Sequence, residues 1–271
     1  MDDLLRKRFL ELAGKCYNKG IYTNTAFLSL VEADEFLCIQ REVSHVPFTL
    51  FGGYDGAERK VLRFGNVDSL GYEEEFPITR LEVSPLMEKF SDDLTHRDFL
   101  GALMNLGIDR SLIGDIIVYG KKEGKKSAPE EAEADTAGTC VRKSRADVYC
   151  MSRIAQFICD ELTRVRHTSV KCVIAENLEP EGAMGEPVER VISVSSPRAD
   201  AVICKVYNMS RSGAEELFTA QKVFINGRLS DSPGKQLNPG DIVTVRGRGR
   251  FTFCGVDHIN KKGKNCVTVR I

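Results

Sequence analysis

Apolar and charged residues alternate through Ile78-Thr79-Arg80-Leu81-Glu82-Val83, the period of a half-buried strand. Further on, Phe99, Leu100, Leu103, Met104 and Leu106 recur at helical spacing. Thr95-His96-Arg97-Asp98 ahead of them has the form of a capping box, and Gly107 behind them is a helix stop. Apolar runs predict strands over residues 115–119 and 146–151. Ser152 then caps a predicted helix burying Ile154, Phe157 or Ile158, and Leu162, before a strand over 169–175. Strand, helix, strand, strand, helix, strand predicts a ferredoxin-like (βαββαβ) domain over residues 77–176, with helices layered on an antiparallel sheet.

The flanking segments read differently. Residues 1–76 open with an amphipathic helix around 4–16 and reach Phe51-Gly52-Gly53-Tyr54. No Gly-Lys-Ser/Thr follows those glycines, so a tight turn between strands 49–51 and 61–64 is predicted rather than a phosphate loop. Residues 121–144 combine Lys, Glu, Gly and Ala with no core face and read as a hairpin extension; residues 177–189 read as linker. From Arg198 a short helix has Ala201, Val202, Cys204 and Val206 to bury, and Ser210 stands where a second helix needs its cap. Lys222–Ile225 is a strand running into an Asn226-Gly227 turn, and residues 242–250 are a strand after the Pro239-Gly240-Asp241 turn. The class is α+β in three parts: a small N-terminal α/β segment (1–76), the ferredoxin-like domain (77–176) and a C-terminal domain (191–271).

Charge changes the picture. The net −1 of 271 residues hides a split: residues 191–271 hold 13 Lys and Arg against 6 Asp and Glu, while the rest is acidic. Much of the excess sits in Arg246-Gly247-Arg248-Gly249-Arg250 and Lys261-Lys262-Gly263-Lys264, a field suited to a polyanion. Ordinary hydrophobic (42%) and charged (28%) fractions predict a globular chain, and no apolar run is long enough to span a bilayer, so no membrane partner is expected. Nine cysteines without a Cys-x-x-Cys pair or His cluster argue for free thiols in a reducing, cytoplasmic setting and against a disulfide framework or zinc site.

The run Arg-x-Asp (198–200), Ser-Arg-Ser (210–212), Lys-Val-x-Ile-Asn-Gly (222–227) and the Gly-Asp stretch from Gly240 through Val-Arg-Gly resembles the S-four RNA-binding module, named after the fourth small-subunit ribosomal protein. Arg246–Phe251, Lys261–Lys264, Phe51-Gly52-Gly53-Tyr54, Glu58-Arg59-Lys60, His96-Arg97-Asp98, Asn105–Ile108, Arg110 and Gly114-Asp115-Ile116 resemble one branch carrying that module, the YlmH-type proteins. Two positions depart from the module: Ala199 stands where Leu is usual, and Gln221 where Gly is usual. The resemblance implies a C-terminal S-four-like domain binding structured RNA, ribosomal RNA or tRNA. It also implies a place on the large ribosomal subunit carrying stalled peptidyl-tRNA, in ribosome-associated quality control.

On physical grounds Arg198, Arg211, Lys222, Arg246, Arg248 and Arg250 are candidate phosphate contacts, arginine being suited to a bidentate grip on paired oxygens. Lys261, Lys262 and Lys264 extend the basic surface. Ser210 and Ser212 position the helix start, and Asn226 either touches RNA or holds its own turn. Asp200 is expected to pair with a basic neighbour or cap rather than touch RNA. No cofactor, metal, small-molecule substrate or catalytic residue is expected, and the chain is expected to be monomeric. Two alternatives stay open: an RNA-modifying enzyme of pseudouridine-synthase type and a ribosome-assembly factor. For the first, Thr95–Asp98 is similar to the family's His-Arg-Leu-Asp loop but lacks its Leu.

Overall fold

Described residues of the computed structural model are 3–87, 91–119, 145–180, 188–260 and 263–271, and they form two units. One unit comprises residues 7–29 and 43–182; the other comprises residues 1–6, 30–42 and 183–271.

The first unit holds most of α1 (Asp3–Lys19), whose Phe9, Ala13 and Cys16 form one buried stripe. β1 (Thr23–Leu28) precedes α2 (Leu30–Ile39), which belongs to the second unit. β2 (Phe48–Phe51) and β3 (Lys60–Phe64) follow, and β3 pairs antiparallel with both β1 and β2. A single turn, α3 (Val67–Leu70), is closed by Asn66, whose side-chain oxygen accepts from Ser69 N at 2.9 Å. Then come β4 (Ile78–Pro85), α4 (His96–Asn105), β5 (Ile113–Tyr119), β6 (Arg145–Met151), α5 (Ala155–Glu161), β7 (Arg164–Val165) and β8 (Thr168–Ile174). Their sheet has the order β5-β6-β4-β8-β7, antiparallel throughout. Phe99 and Leu103 of α4 share one core with Ala155 and Ile158 of α5, against Leu81, Val83, Ala146 and Val148. Two helices on one face and this strand order are the ferredoxin-like arrangement. Ser152 does not cap α5: it lies in a 3-10 turn (Ser152–Ile154) and its hydroxyl accepts from Thr79 Oγ1 at 2.8 Å.

The other face of this sheet is closed at its centre. Tyr149 is fully buried, packs on Tyr54 with ring centroids 4.9 Å apart, and donates to Leu178 O at 2.7 Å. Beside it Arg80, 2% exposed, donates to Asp147 Oδ2 (2.9 Å) and Asn177 O (2.9 Å) and pairs with Glu82 (3.1 Å). A buried guanidinium is tolerable only with such partners on every side. The segment after Phe51 is a loop of residues 52–59 rather than a tight turn. It folds onto Asp115, whose carboxylate accepts from Tyr54 OH (2.9 Å), Glu58 N (2.7 Å) and Arg59 N (3.1 Å). Gly53, at φ +104°, has its Cα against the Tyr149 ring, where a Cβ would come within 2.5 Å.

In the second unit β9 (Glu189–Val194) leads to α6 (Ala199–Val206), α7 (Arg211–Thr219), β10 (Val223–Ile225), β11 (Arg228–Leu229), β12 (Ile242–Val245), β13 (Gly249–Ile259) and β14 (Asn265–Arg270). The sheet order is β11-β10-β12-β13-β14-β9. Val202, Ile203, Ala214 and Phe218 of the two helices pack on Ile225, Val243, Phe251, Phe253 and Val267. The predicted single strand over 242–250 is instead two strands joined at Arg246–Arg248. Gly247 (φ +81°) and Gly249 (φ +109°) take left-handed conformations that reverse the chain there. α2 meets β11, with Arg228 Nε 2.8 Å from Asp34 Oδ1. Among the described residues no helix is long and apolar enough to cross a membrane.

Asp147→Ala is expected to destabilise the first unit by about 3 kcal/mol, because it leaves the buried Arg80 guanidinium short of its main partner. Urea denaturation measures this, and an unchanged midpoint would show that the pair is not structural.

Candidate nucleic-acid interface

α7 is placed by its own sequence. Ala214 and Phe218 lie on one stripe and are buried, while Arg211, Ser212, Glu215 and Glu216 are exposed. Ser210 caps it, its Oγ accepting from Gly213 N at 3.1 Å and lying 3.1 Å from Ser212 Oγ. The helix ends in a Schellman motif: Gln221 N donates to Phe218 O and Lys222 N to Leu217 O, both at 2.9 Å. Gln221 therefore sits at φ 53°, where glycine is easiest. The departure from the S-four pattern at this position thus has a definite conformational consequence. At the other departure, Ala199 is fully buried and fits the core.

Five of the candidate bases fall into two groups, one at each end of α7. At its start Arg211 donates to Ser195 Oγ at 3.1 Å, and Asn265, next to Lys264, donates to Ser195 O at 3.1 Å. Ser210, Arg211, Ser212 and exposed Lys264 therefore gather here. At its end Arg246 N donates to Lys222 O at 2.9 Å, which brings Lys222 beside the Arg246–Arg248 turn. Nine helical residues separate the groups, about 13 Å. Glu215 and Glu216 are exposed between them. Arg250 alternates with Phe251 and Phe253, which face the helices, so it projects from the opposite face of the sheet. Lys261 and Lys262 lie outside the described residues, as does the 121–144 extension.

Carboxylates sort these cations further. Arg198 is held bidentately by Asp200, Nε to Oδ1 at 3.1 Å and Nη2 to Oδ2 at 3.0 Å, with Asp200 1% exposed. Asp200 thus pairs with a basic neighbour. Arg228 is claimed by Asp34, and Arg270 by Glu189 at 2.8 Å, a hydrogen bond that raises its pKa. Among the described residues Arg211, Lys222, Arg246 and Arg248 take part in no ion pair and are exposed. Asn226 holds its own turn. At φ 53°, followed by Gly227 at φ 76°, it makes a two-residue hairpin of the kind Asn-Gly favours. Its amide donates to Asp241 Oδ1 (2.8 Å) and its oxygen accepts from Ile242 N (2.9 Å).

Residues 72–125 match the family model described as "Putative RNA-binding domain in YlmH". The chain is 27% identical over 223 residues to ribosome-associated protein quality control protein P2 of Bacillus subtilis (strain 168), covering 82% of this chain and 77% of that protein. The chain is similar to YlmH-type proteins. A shorter likeness, 29% over 85 residues, joins it to small ribosomal subunit protein uS4 of Pseudothermotoga lettingae, over 31% of this chain and 40% of that one. The solved structure of cell division protein ylmH from Streptococcus pneumoniae covers 64% of this chain and 90% of its own, at 20% identity and TM-score 0.44.

Several upstream residues of the YlmH-type pattern form a packing junction. Arg59 donates to Ile113 O and Phe27 O, both at 2.9 Å, while Asp115 holds the 52–59 loop. Burial, then the neighbouring Arg59, bring the Arg110 guanidinium down to about 10, and Asp115 acts the other way. Asp98 accepts from Thr95 N (2.8 Å) and Thr95 Oγ1 (2.7 Å), bonds that hold its carboxyl below the usual range. It is a helix cap, as its spacing implied.

Two substitutions separate conformation from recognition. Gln221→Gly is expected to stabilise the chain by about 1 kcal/mol by relieving the left-handed residue. Asn226→Gly keeps the turn's backbone but removes both side-chain bonds, and is expected to lower stability by about 1 kcal/mol. Calorimetry checks both; RNA affinity corrected for unfolded protein should stay within about twofold for Asn226→Gly.

Proposed function

We propose that the chain is a non-catalytic, cytoplasmic RNA-binding protein that associates with the ribosome through its C-terminal, S-four-like unit. It engages ribosomal RNA or tRNA there, on large subunits carrying stalled peptidyl-tRNA, in ribosome-associated quality control. The observation that carries this reading is the set of exposed cations that, among the described residues, form no ion pair, Arg211, Lys222, Arg246 and Arg248, at the two ends of one capped helix. The name of the Bacillus subtilis relative supports the ribosomal setting. The YlmH family description supports RNA as the ligand. Neither relative is named as an enzyme.

Binding here is electrostatic and accordingly sensitive to salt. Five neutralised phosphates give a slope of log affinity against log salt of about −3 to −4 on single strands. Arg211→Glu with Arg248→Glu is expected to abolish retention of ribosomal RNA and tRNA without changing the melting temperature. Retained affinity, or a salt-independent one, refutes the surface. Co-sedimentation with mature large subunits bearing peptidyl-tRNA supports quality control; co-sedimentation with assembly precursors supports the assembly alternative instead.

A further inference from the structure

We propose a second RNA-backbone site on the helical side of the ferredoxin-like domain, in a groove between α4 and the β7–β8 hairpin lined by Arg97, Arg164 and Arg166. It rests on the reading of the chain as an RNA-binding protein, but uses a different surface.

Many single-stranded RNA platforms stack bases on aromatic side chains of a sheet face. At the centre of the sheet that route is shut. Tyr149, an aromatic of β6, is fully buried under Tyr54 and bonded to Leu178, and the guanidinium beside it is locked to Asp147 and Glu82. RNA contact by this domain then falls to the rest of its surface.

The groove has a volume of about 490 Å³. Arg164 and Arg166 flank Val165, whose burial anchors the hairpin and leaves both arginines exposed. Arg166 is held at φ 53°, a conformation that disfavours arginine by about 1–2 kcal/mol relative to glycine. From there its Nε reaches to 3.5 Å from Asp98 Oδ1 on the first turn of α4, beside Arg97. Two carboxylates, Asp98 and Glu161, share the groove with three guanidiniums. Asp98 already accepts two hydrogen bonds from Thr95 through its other oxygen. Arg97 and Arg164 take part in no ion pair among the described residues. The floor is Gly101 and Ala102, and an added Cβ at Gly101 would meet nothing within 4 Å. A sugar-phosphate backbone can therefore come down onto the helix between planar donors suited to phosphate oxygens.

The test uses the full chain and labelled tRNA, titrated at several salt concentrations. One variant removes charge (Arg97→Gln, Arg164→Gln, Arg166→Asn, the last suited to a left-handed turn). A second, Gly101→Leu, fills the groove on an exposed helical position where leucine favours the helix. Each is expected to weaken tRNA binding by about tenfold, and the charge variant to flatten the salt slope by about 2. Amide exchange in the unaltered chain should show tRNA protecting residues 97–105 and 163–166. Unchanged affinity and slope in both variants, or no protection of those peptides, overturns the groove. Protection by an acidic polypeptide but not by tRNA overturns it as well. Arg211→Glu with Arg248→Glu in parallel separates the outcomes: if only that pair loses tRNA, the groove fails and the C-terminal reading stands. If only the groove variants lose it, the C-terminal reading fails.

Discussion

An arginine grips a phosphate most strongly where no carboxylate of its own chain holds it in a close, hydrogen-bonded pair. In the C-terminal unit Asp200, Asp34 and Glu189 take Arg198, Arg228 and Arg270. Arg211, Lys222, Arg246 and Arg248 stay outside these pairs. Their positions are fixed by apolar packing and backbone geometry rather than by charge. Ala214 and Phe218 anchor α7, its Schellman ending delivers Lys222, and left-handed glycines turn the chain at Arg246–Arg248. A rigid scaffold presenting uncommitted cations loses little entropy when a polyanion arrives.

The other unit applies the same rule inwardly. Arg80 is locked by Asp147 and Glu82, and Arg59 is bonded to main-chain carbonyls, so neither guanidinium is available to a ligand. Arg59, with Asp115, ties β1 and the 52–59 loop to the ferredoxin-like sheet. This junction buries Tyr149 and closes the centre of that sheet face to a nucleic acid. Among the described residues, Arg97, Arg164 and Arg166 are exposed on its helical side.

The sequence was most informative where one residue's chemistry decides the local backbone. Ser210 as a cap, Asn226-Gly227 as a hairpin turn and the alternation through Ile78–Val83 all carry their structure in adjacent letters. Five neighbouring letters were not enough at Arg246–Arg250, where a strand and a glycine-built turn are both compatible with the run, and tertiary pairing chose the turn. Gly52 and Gly53 signalled a turn, but their purpose is close approach to Arg59 and Tyr149, which are brought there only by the fold. β7 has two residues and an arginine at φ 53° in its turn, so no turn chemistry announced the hairpin. The partner of a charged side chain was legible when it lay two residues away, as Asp200 does from Arg198. The pairing of Arg228 with Asp34 was not, since it joins distant parts of the chain.

Photochemical crosslinking of bound ribosomal RNA or tRNA to the full chain, with the linked residues identified by mass spectrometry, tests the central assignment most directly. The expected result is crosslinks at residues 210–212, at Lys222 and across Arg246–Arg248, with none at Arg228 or Arg270. Crosslinks concentrated on Arg198, Arg228 and Arg270, or absent from both ends of α7, would contradict it.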